Sequence, residues 1–365
     1  MKDFHLNRRT LVRGAMAAGA TTLLPSPGRA ANFANQTITI ICPFGVGGGS
    51  DLWSRFNAPF LSKYLPGKPV VVVKNFPAGG SVGGANLFVG TAKPDGLTVL
   101  SSSGSTQFPY LLGEKRVKYD YKLMRFFLAS PTGGVAYISS KFGVKSVKDL
   151  EKLKGVKLHY ASQGATSLDL APLLGFRLLG LDVQHVFGFP GRGEGRMSFE
   201  RGESDIDYQT TTSYLRSSQP LVKNGEAVAL FSWGAIDASG QLARDPNFPD
   251  LPHFAEAYEI VYGKKPSGVE WDAFSAFLLS GFPAQKLMML PQGTPDDIVE
   301  AYRAAMRQTF KDPEYLARRD EIIGEYEQVT DKAGEELYHK ASTISPEART
   351  WVREFLTTNY KVDFE

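Results

Sequence analysis

A single cysteine, Cys42, among 365 residues excludes an intrachain disulfide and any thiolate metal cluster. Histidine is almost as scarce. After the first 30 residues only His159, His185, His253 and His339 remain, with no metal-ligand spacing between them. No glycine cluster runs into Gly-Lys-Ser/Thr, which rules out a P-loop, and neither paired carboxylates nor a Cys/His arrangement stands out for catalysis. Charge of one sign is lacking too. The chain carries 41 Lys and Arg against 38 Asp and Glu; its first 30 residues hold five of the former and one of the latter, leaving 36 against 37. So balanced a chain offers no basic field for nucleic acid or an anionic membrane.

The positive excess belongs to an N-terminal stretch that reads as an export signal. Asn7-Arg8-Arg9-Thr10-Leu11-Val12-Arg13 has paired arginines, an apolar region reaches Leu24, and Gly28-Arg29-Ala30 supplies small residues for cleavage. The apolar region holds about eleven residues, short of the roughly 20 that a membrane span needs. The pattern predicts a twin-arginine signal over residues 1–30, cut near Ala30 or Ala31, with the remainder soluble and outside the cytoplasm. That remainder is longer than one hydrophobic core usually serves, which predicts two domains.

The most informative stretch is Thr37 to Asp51. Thr37 to Ile41 is β-branched, as a buried parallel strand requires, and Pro43 ends it. Gly45, Gly47, Gly48 and Gly49 follow, allowing positive φ and close backbone approach to an anion. Ser50 or Asp51 then caps a helix whose N-terminus adds partial positive charge. The stretch is an anion cradle or a tight turn. Leu52, Phe56, Phe60 and Tyr64 recur every fourth position and give that helix an apolar face, with a kink expected at Pro59. Val70 to Val73 reads as a second buried strand. Asn75 to Gly84 is a second Gly-rich loop, opening a helix around Ala85 to Ala92. Leu97 to Leu100 is a third strand, running into the small polar loop Ser101 to Thr106.

Strand, Pro43-Phe44, glycines and Asp51, then Val71-Val72-Val73, Asn75 and Pro77-Ala78-Gly79-Gly80, then Pro94-Asp95-Gly96-Leu97-Thr98-Val99-Leu100: in this order the motifs resemble the periplasmic solute-binding receptors of tripartite tricarboxylate transporters. The likeness continues through Ser146-Val147-Lys148-Asp149-Leu150, where Ser146 reads as a helix cap. It extends to Leu158 through Gly164, with Thr166 or Ser167 capping a helix faced by Leu170, Leu174 and Leu178. Arg201 to Asp205 and Leu251-Pro252 with Glu256 follow. Last comes Pro291-Gln292-Gly293-Thr294-Pro295, in which Thr294 caps and Pro295 takes the first turn. The chain departs from the family where a Val-Pro-Tyr-x-Gly segment lines the cleft; here Val186 to Glu194 stand instead. Asp237 to Pro252 and Gly263 to Phe282 also follow the family poorly.

The resemblance implies an α/β, two-lobe periplasmic-binding-protein-like fold of type II with the ligand cleft between the lobes. Lobe one would hold residues 36–136 and 231–365, including C-terminal helices, and lobe two 137–230. It implies a monomeric receptor without cofactor, metal or catalysis, which takes a small organic acid and passes it to membrane permease subunits. Backbone N–H groups would hold the carboxylate without a buried cation. The ligand-binding candidates from lobe one are Phe44, Gly47, Gly48, Gly49 and Asp51, with Ser103 and Ser105. From lobe two they are Ser162, Gly164, Thr166 and Ser167, then Gly191, Arg192 and Asp205. Asp51 is an N-cap, a loop staple or a ligand contact. Arg192 either grips a carboxylate or lies on a solvated helix face with Glu194 and Glu200. An enzymatic reading also exists, since Gly79-Gly80-Ser81-Val82-Gly83 matches a nucleophile elbow and would make the chain a secreted α/β serine hydrolase.

Overall fold

Strands that end in glycine-rich turns and feed amphipathic helices build two groups of sheets. The computed structural model describes residues 31–236 and 241–364, so the expected signal over residues 1–30 lies outside the described residues. In chain order come β1 (Thr37–Cys42), α1 (Gly49–Tyr64), β2 (Val70–Asn75), α2 (Val82–Thr91), β3 (Thr98–Ser103), α3 (Gly104–Leu112) and β4 (Arg125–Ser130). Next are β5 (Gly134–Ser139), β6 (Lys157–Ser162), α4 (Leu170–Leu178), β7 (Asp182–Phe187), α5 (Arg192–Glu200), β8 (Ile206–Thr210) and β9 (Ala227–Ser232). The chain closes with the short pair β10 (Ala235–Ile236) and β11 (Leu242–Ala243), α6 (Phe254–Tyr262), α7 (Val269–Gly281), β12 (Lys286–Leu290), α8 (Asp296–Thr309), α9 (Pro313–Ile323), α10 (Lys332–Ala341) and α11 (Pro346–Tyr360).

One sheet has the order β2-β1-β3-β12-β4, a second β8-β5-β9, and β6 pairs with β7. β1 runs parallel to β2 and β3, while β12 runs antiparallel to both β3 and β4. The C-terminal ends of β1 and β3 and the N-terminal end of β12 therefore share one edge. In register, Lys286 pairs with Ser103 on one side and Ser130 on the other. β6 abuts β8, where the Asp205 N–H donates to the His159 carbonyl at 2.8 Å.

Several local expectations change. β2 is an edge strand, half-exposed along its length, because only β1 covers one side of it. Pro59 sits inside a continuous α1. Positions 136 and 230 fall within β5 and β9, and both strands belong throughout to the second sheet. The chain changes sheet between Ser130 and Gly134 and leaves again after Ser232. Nor does 231–365 pack with the first sheet alone. Phe254, Phe274 and Val352 share an apolar cluster with Tyr160, Leu170 and Trp233 as well as with Phe108 of α3.

Inside the second group the chain buries a charge cluster. Arg192, 7% exposed, lies between the rings of Tyr160 and Tyr208, with its guanidinium carbon 4.8 and 5.2 Å from their centroids. It donates to Asp207, to Asp169 and to the carbonyls of Ala161 and Tyr208. Burial pulls the guanidinium towards neutrality, but the charges of Asp169 and Asp207 outweigh it and hold its pKa well above the usual arginine value. Removing the cation would leave two carboxylates buried without it. Arg192→Met should therefore cost about 3–5 kcal/mol in urea unfolding, against well under 1 kcal/mol for a typical exposed ion pair.

Candidate functional site

The shared edge of the first sheet faces loops of the second group, and their meeting point carries most of the predicted site. α1 begins at Gly49, with Gly48 as N-cap and no side-chain cap. Its first-turn N–H groups, those of Gly49, Ser50 and Asp51, have no acceptor within the helix. Directly opposite, α5 begins at Arg192 with Gly191 as N-cap and likewise no side-chain cap. The two helix starts nearly touch. A Cβ on Gly193 would stand 3.1 Å from the Gly48 nitrogen and 3.2 Å from the Val46 carbonyl oxygen, and one on Gly48 would stand 3.6 Å from the Gly193 nitrogen. Each N-terminus carries about half a positive charge, so their opposition favours an anion between them.

Asp51 does not cap α1. Its carboxylate accepts the Gly47 N–H at 3.0 Å, Arg55 Nε at 3.0 Å and Asn75 Nδ2 at 2.9 Å, and is 1% exposed. It staples the cradle loop to β2. Asn75 Nδ2 also reaches the Phe44 carbonyl, fixing the loop from below. Gly47 has φ +83°, which a Cβ disfavours, while Gly48 is extended at φ −77°. Strain at Gly48 is therefore no reason for its glycine; close approach of α5 is.

α3 adds a third helix start. Ser103 is its N-cap and accepts from the Ser105 N–H, while Ser105 Oγ donates to Gln163 Oε1 at 3.1 Å and accepts the Leu168 N–H. Ser162, Gly164, Thr166 and Ser167 line this second contact between the sheet groups, but as a self-bonded loop rather than as helix caps. Ser162 Oγ and the Gln163 N–H donate to Asp169, Ser167 Oγ donates to the Gly164 carbonyl, and the N-cap of α4 is Asp169 without a side-chain bond. Thr166 donates to Glu114, a buried acid that no local pattern singled out. Thr294 misses its cap position as well, since Pro295 is the N-cap of α8.

Two predicted residues do not join the site. Arg192 begins α5, yet its guanidinium turns inward to Asp169 and Asp207, so it neither grips a ligand carboxylate nor lies on a solvated face. Asp205 pairs with Lys141 at 2.6 Å and with His159 Nδ1 at 2.9 Å, at the start of β8. The other end of β8, Thr210, is the one that meets Gly49, roughly 16 Å away at strand rise.

Two groups that sequence reasoning passed over stand at the cradle. Thr210 Oγ1 fills the space beside Gly49, and Lys286 Nζ lies 3.2 Å from where a Gly49 Cβ would be. Lys286 is 1% exposed and its ammonium has no hydrogen-bond partner among the described residues. Burial lowers its pKa to about 7, while burial and the Asp51 charge raise the nearby Cys42 thiol to about 12. The visible signal was a lone lysine opening the apolar strand Leu287-Met288-Met289-Leu290. Ser81 shows no elbow constellation: it is buried at φ +90°, and its Oγ accepts a hydrogen bond from Thr106 Oγ1.

Comparison with known proteins places the chain in a family. Residues 55–325 match the family described as "Tripartite tricarboxylate transporter family receptor". A UPF0065 protein of Bordetella pertussis is 30% identical over 323 residues, covering 87% of each chain. The periplasmic binding protein BugD shares the fold at TM-score 0.67 and 20% identity, covering 90% of this chain and 98% of its own. R. palustris Rpa4515 with adipate does so at TM-score 0.67 and 19% identity, covering 89% and 97%. The family is one of solute-binding receptors, so the protein is not an enzyme, and nothing supports the hydrolase reading of Ser81. The fold is the two-lobed α/β fold of periplasmic binding proteins, and the chain belongs to the receptor family of tripartite tricarboxylate transporters.

Proposed function

We propose that the protein is exported by the twin-arginine route, works as a monomer in the periplasm, and delivers a small carboxylate to the permease subunits of its transporter. The observation that carries the carboxylate class is the opposition of the α1 and α5 N-termini, one from each lobe. Opposed positive ends repel, and an anion between them converts that repulsion into attraction from both sides. The adipate held by the R. palustris relative supports the same class. In this reading Gly48, Gly49 and Gly191 supply backbone N–H groups, Asp51 holds the cradle in shape through the Gly47 N–H, and Ser105 ties α3 to the facing loop through Gln163 and Leu168. The lobes comprise roughly residues 36–130 with much of 233–365, and 134–232, with the crossings at Pro131–Gly133 and after Ser232. Binding closes them by a hinge motion, and the closed form docks on the permease.

Three outcomes follow. A thermal-shift screen of succinate, adipate, citrate and acetate on the mature chain should stabilise it by roughly 2.7 kcal/mol at about a hundred times Kd for the best of them. No shift with any carboxylate would contradict the reading. Gly193→Val should weaken binding by about 1–3 kcal/mol in calorimetry, because its side chain would meet the backbone of the cradle loop and hold the lobes apart. Native affinity in that variant would mean that the loops need not approach. Changing Arg8 and Arg9 to Lys should leave the precursor in the cytoplasm on fractionation; normal export would assign the general secretory route instead.

A further inference from the structure

Lys286 is placed where a cation has least reason to be. It opens β12, between β3 and β4, at the sheet edge that faces the other lobe. Its neighbours along the ladders, Ser103 and Ser130, carry no charge. The titratable group facing it is Cys42 on β1, which also faces Asp51 in the first turn of α1, and Glu194 of α5 stands at the same meeting of loops, against Gly45. Cys42 is a neutral thiol, and the Asp51 carboxylate is already taken up by Gly47, Arg55 and Asn75. The ammonium thus lies buried and without a hydrogen-bond acceptor beside the positive end of a 16-residue helix. Both its desolvation and the helix dipole disfavour it there. An anion that touched Lys286 and the helix start together would reverse both effects. Gly49 makes that possible, since any side chain there would stand against the ammonium and Thr210.

We propose that Lys286 is a ligand-binding residue whose ammonium, with the first-turn N–H groups of α1 and the Thr210 hydroxyl, forms a cationic subsite for one carboxylate of the bound organic acid. The proposal rests on the receptor reading and replaces the expectation that backbone dipoles alone hold the ligand. It carries a pH signature. The free lysine is protonated below about pH 7, so carboxylate affinity is full there. Above that, binding must take up a proton, and affinity falls about tenfold per pH unit until the raised pKa of the complex is reached. Stability of the ligand-free chain runs the other way. An unfolded lysine stays protonated to about pH 10.4, so between there and the folded value the unfolded chain binds more protons and stability rises with pH.

The test is calorimetry with adipate, succinate and citrate at several values between about pH 6.5 and 9, on wild type, Lys286→Met and Lys286→Gln. The expected result is that both variants bind the best of these acids about ten- to a hundredfold more weakly at the lower pH and lose the wild-type pH dependence. Lys286→Met should also melt higher than wild type without ligand, because an apolar chain of similar length replaces a buried, unpaired charge. Equal affinity and equal pH dependence in wild type and either folded variant would overturn this proposal and leave the receptor reading in place. If no carboxylate bound wild type, the receptor's carboxylate class and the proposal would fall together.

Discussion

Two helices whose N-terminal turns meet at contact distance create a constraint that the rest of the chain must satisfy. The starts of α1 and α5 are brought within contact distance by loops of glycine, which alone permit so close a backbone approach. Neither start is capped by a side chain, although Asp51 and Glu194 lie in the respective first turns. The Asp51 carboxylate is spent on the loop, and the Glu194 oxygen Oε2 has no donor among the described residues. In the proposed reading a solute anion is shared by both helix starts, which the sheets bring together.

The two lobes treat their buried cations differently. In the second lobe Arg192 is matched by Asp169 and Asp207 and stacked between two tyrosine rings, so the base of α5 is rigid. Asp169 also gathers Ser162 Oγ and the Gln163 N–H, which ties the neighbouring loop to the same cluster. The first lobe contrasts with this. Its buried cation, Lys286, has no matching carboxylate among the described residues, and this asymmetry is what the proposal that Lys286 meets a ligand rests on.

Local patterns were legible in the sequence, and contacts between distant segments were not. β1, the glycine loop and α1 follow from β-branched residues, Pro43 and a four-residue apolar repeat, all within one stretch of chain. The order of motifs also led to the right family and fold. Side-chain roles were harder to read. Arg192 was expected to face a ligand or solvent because nothing local shows that Asp169 and Asp207 converge beneath it. Asp205 was assigned to the site from its turn motif, but strand β8 carries it to the far end from Thr210. Lys286 comes from a strand more than two hundred positions after the loop it meets, a distance over which only the antiparallel register of β12 on β3 could bring it to Gly49. The packing of α6, α7 and α11 was hidden for the same reason, because their apolar faces do not state which lobe they meet.

The most direct test of the opposed-helix account is a crystal structure of the mature protein with a bound dicarboxylate such as adipate. The account predicts carboxylate oxygens within hydrogen-bond distance of the Gly49–Asp51 N–H groups and of the α5 start at Arg192 and Gly193. A carboxylate bound in the closed protein away from both helix starts would contradict it.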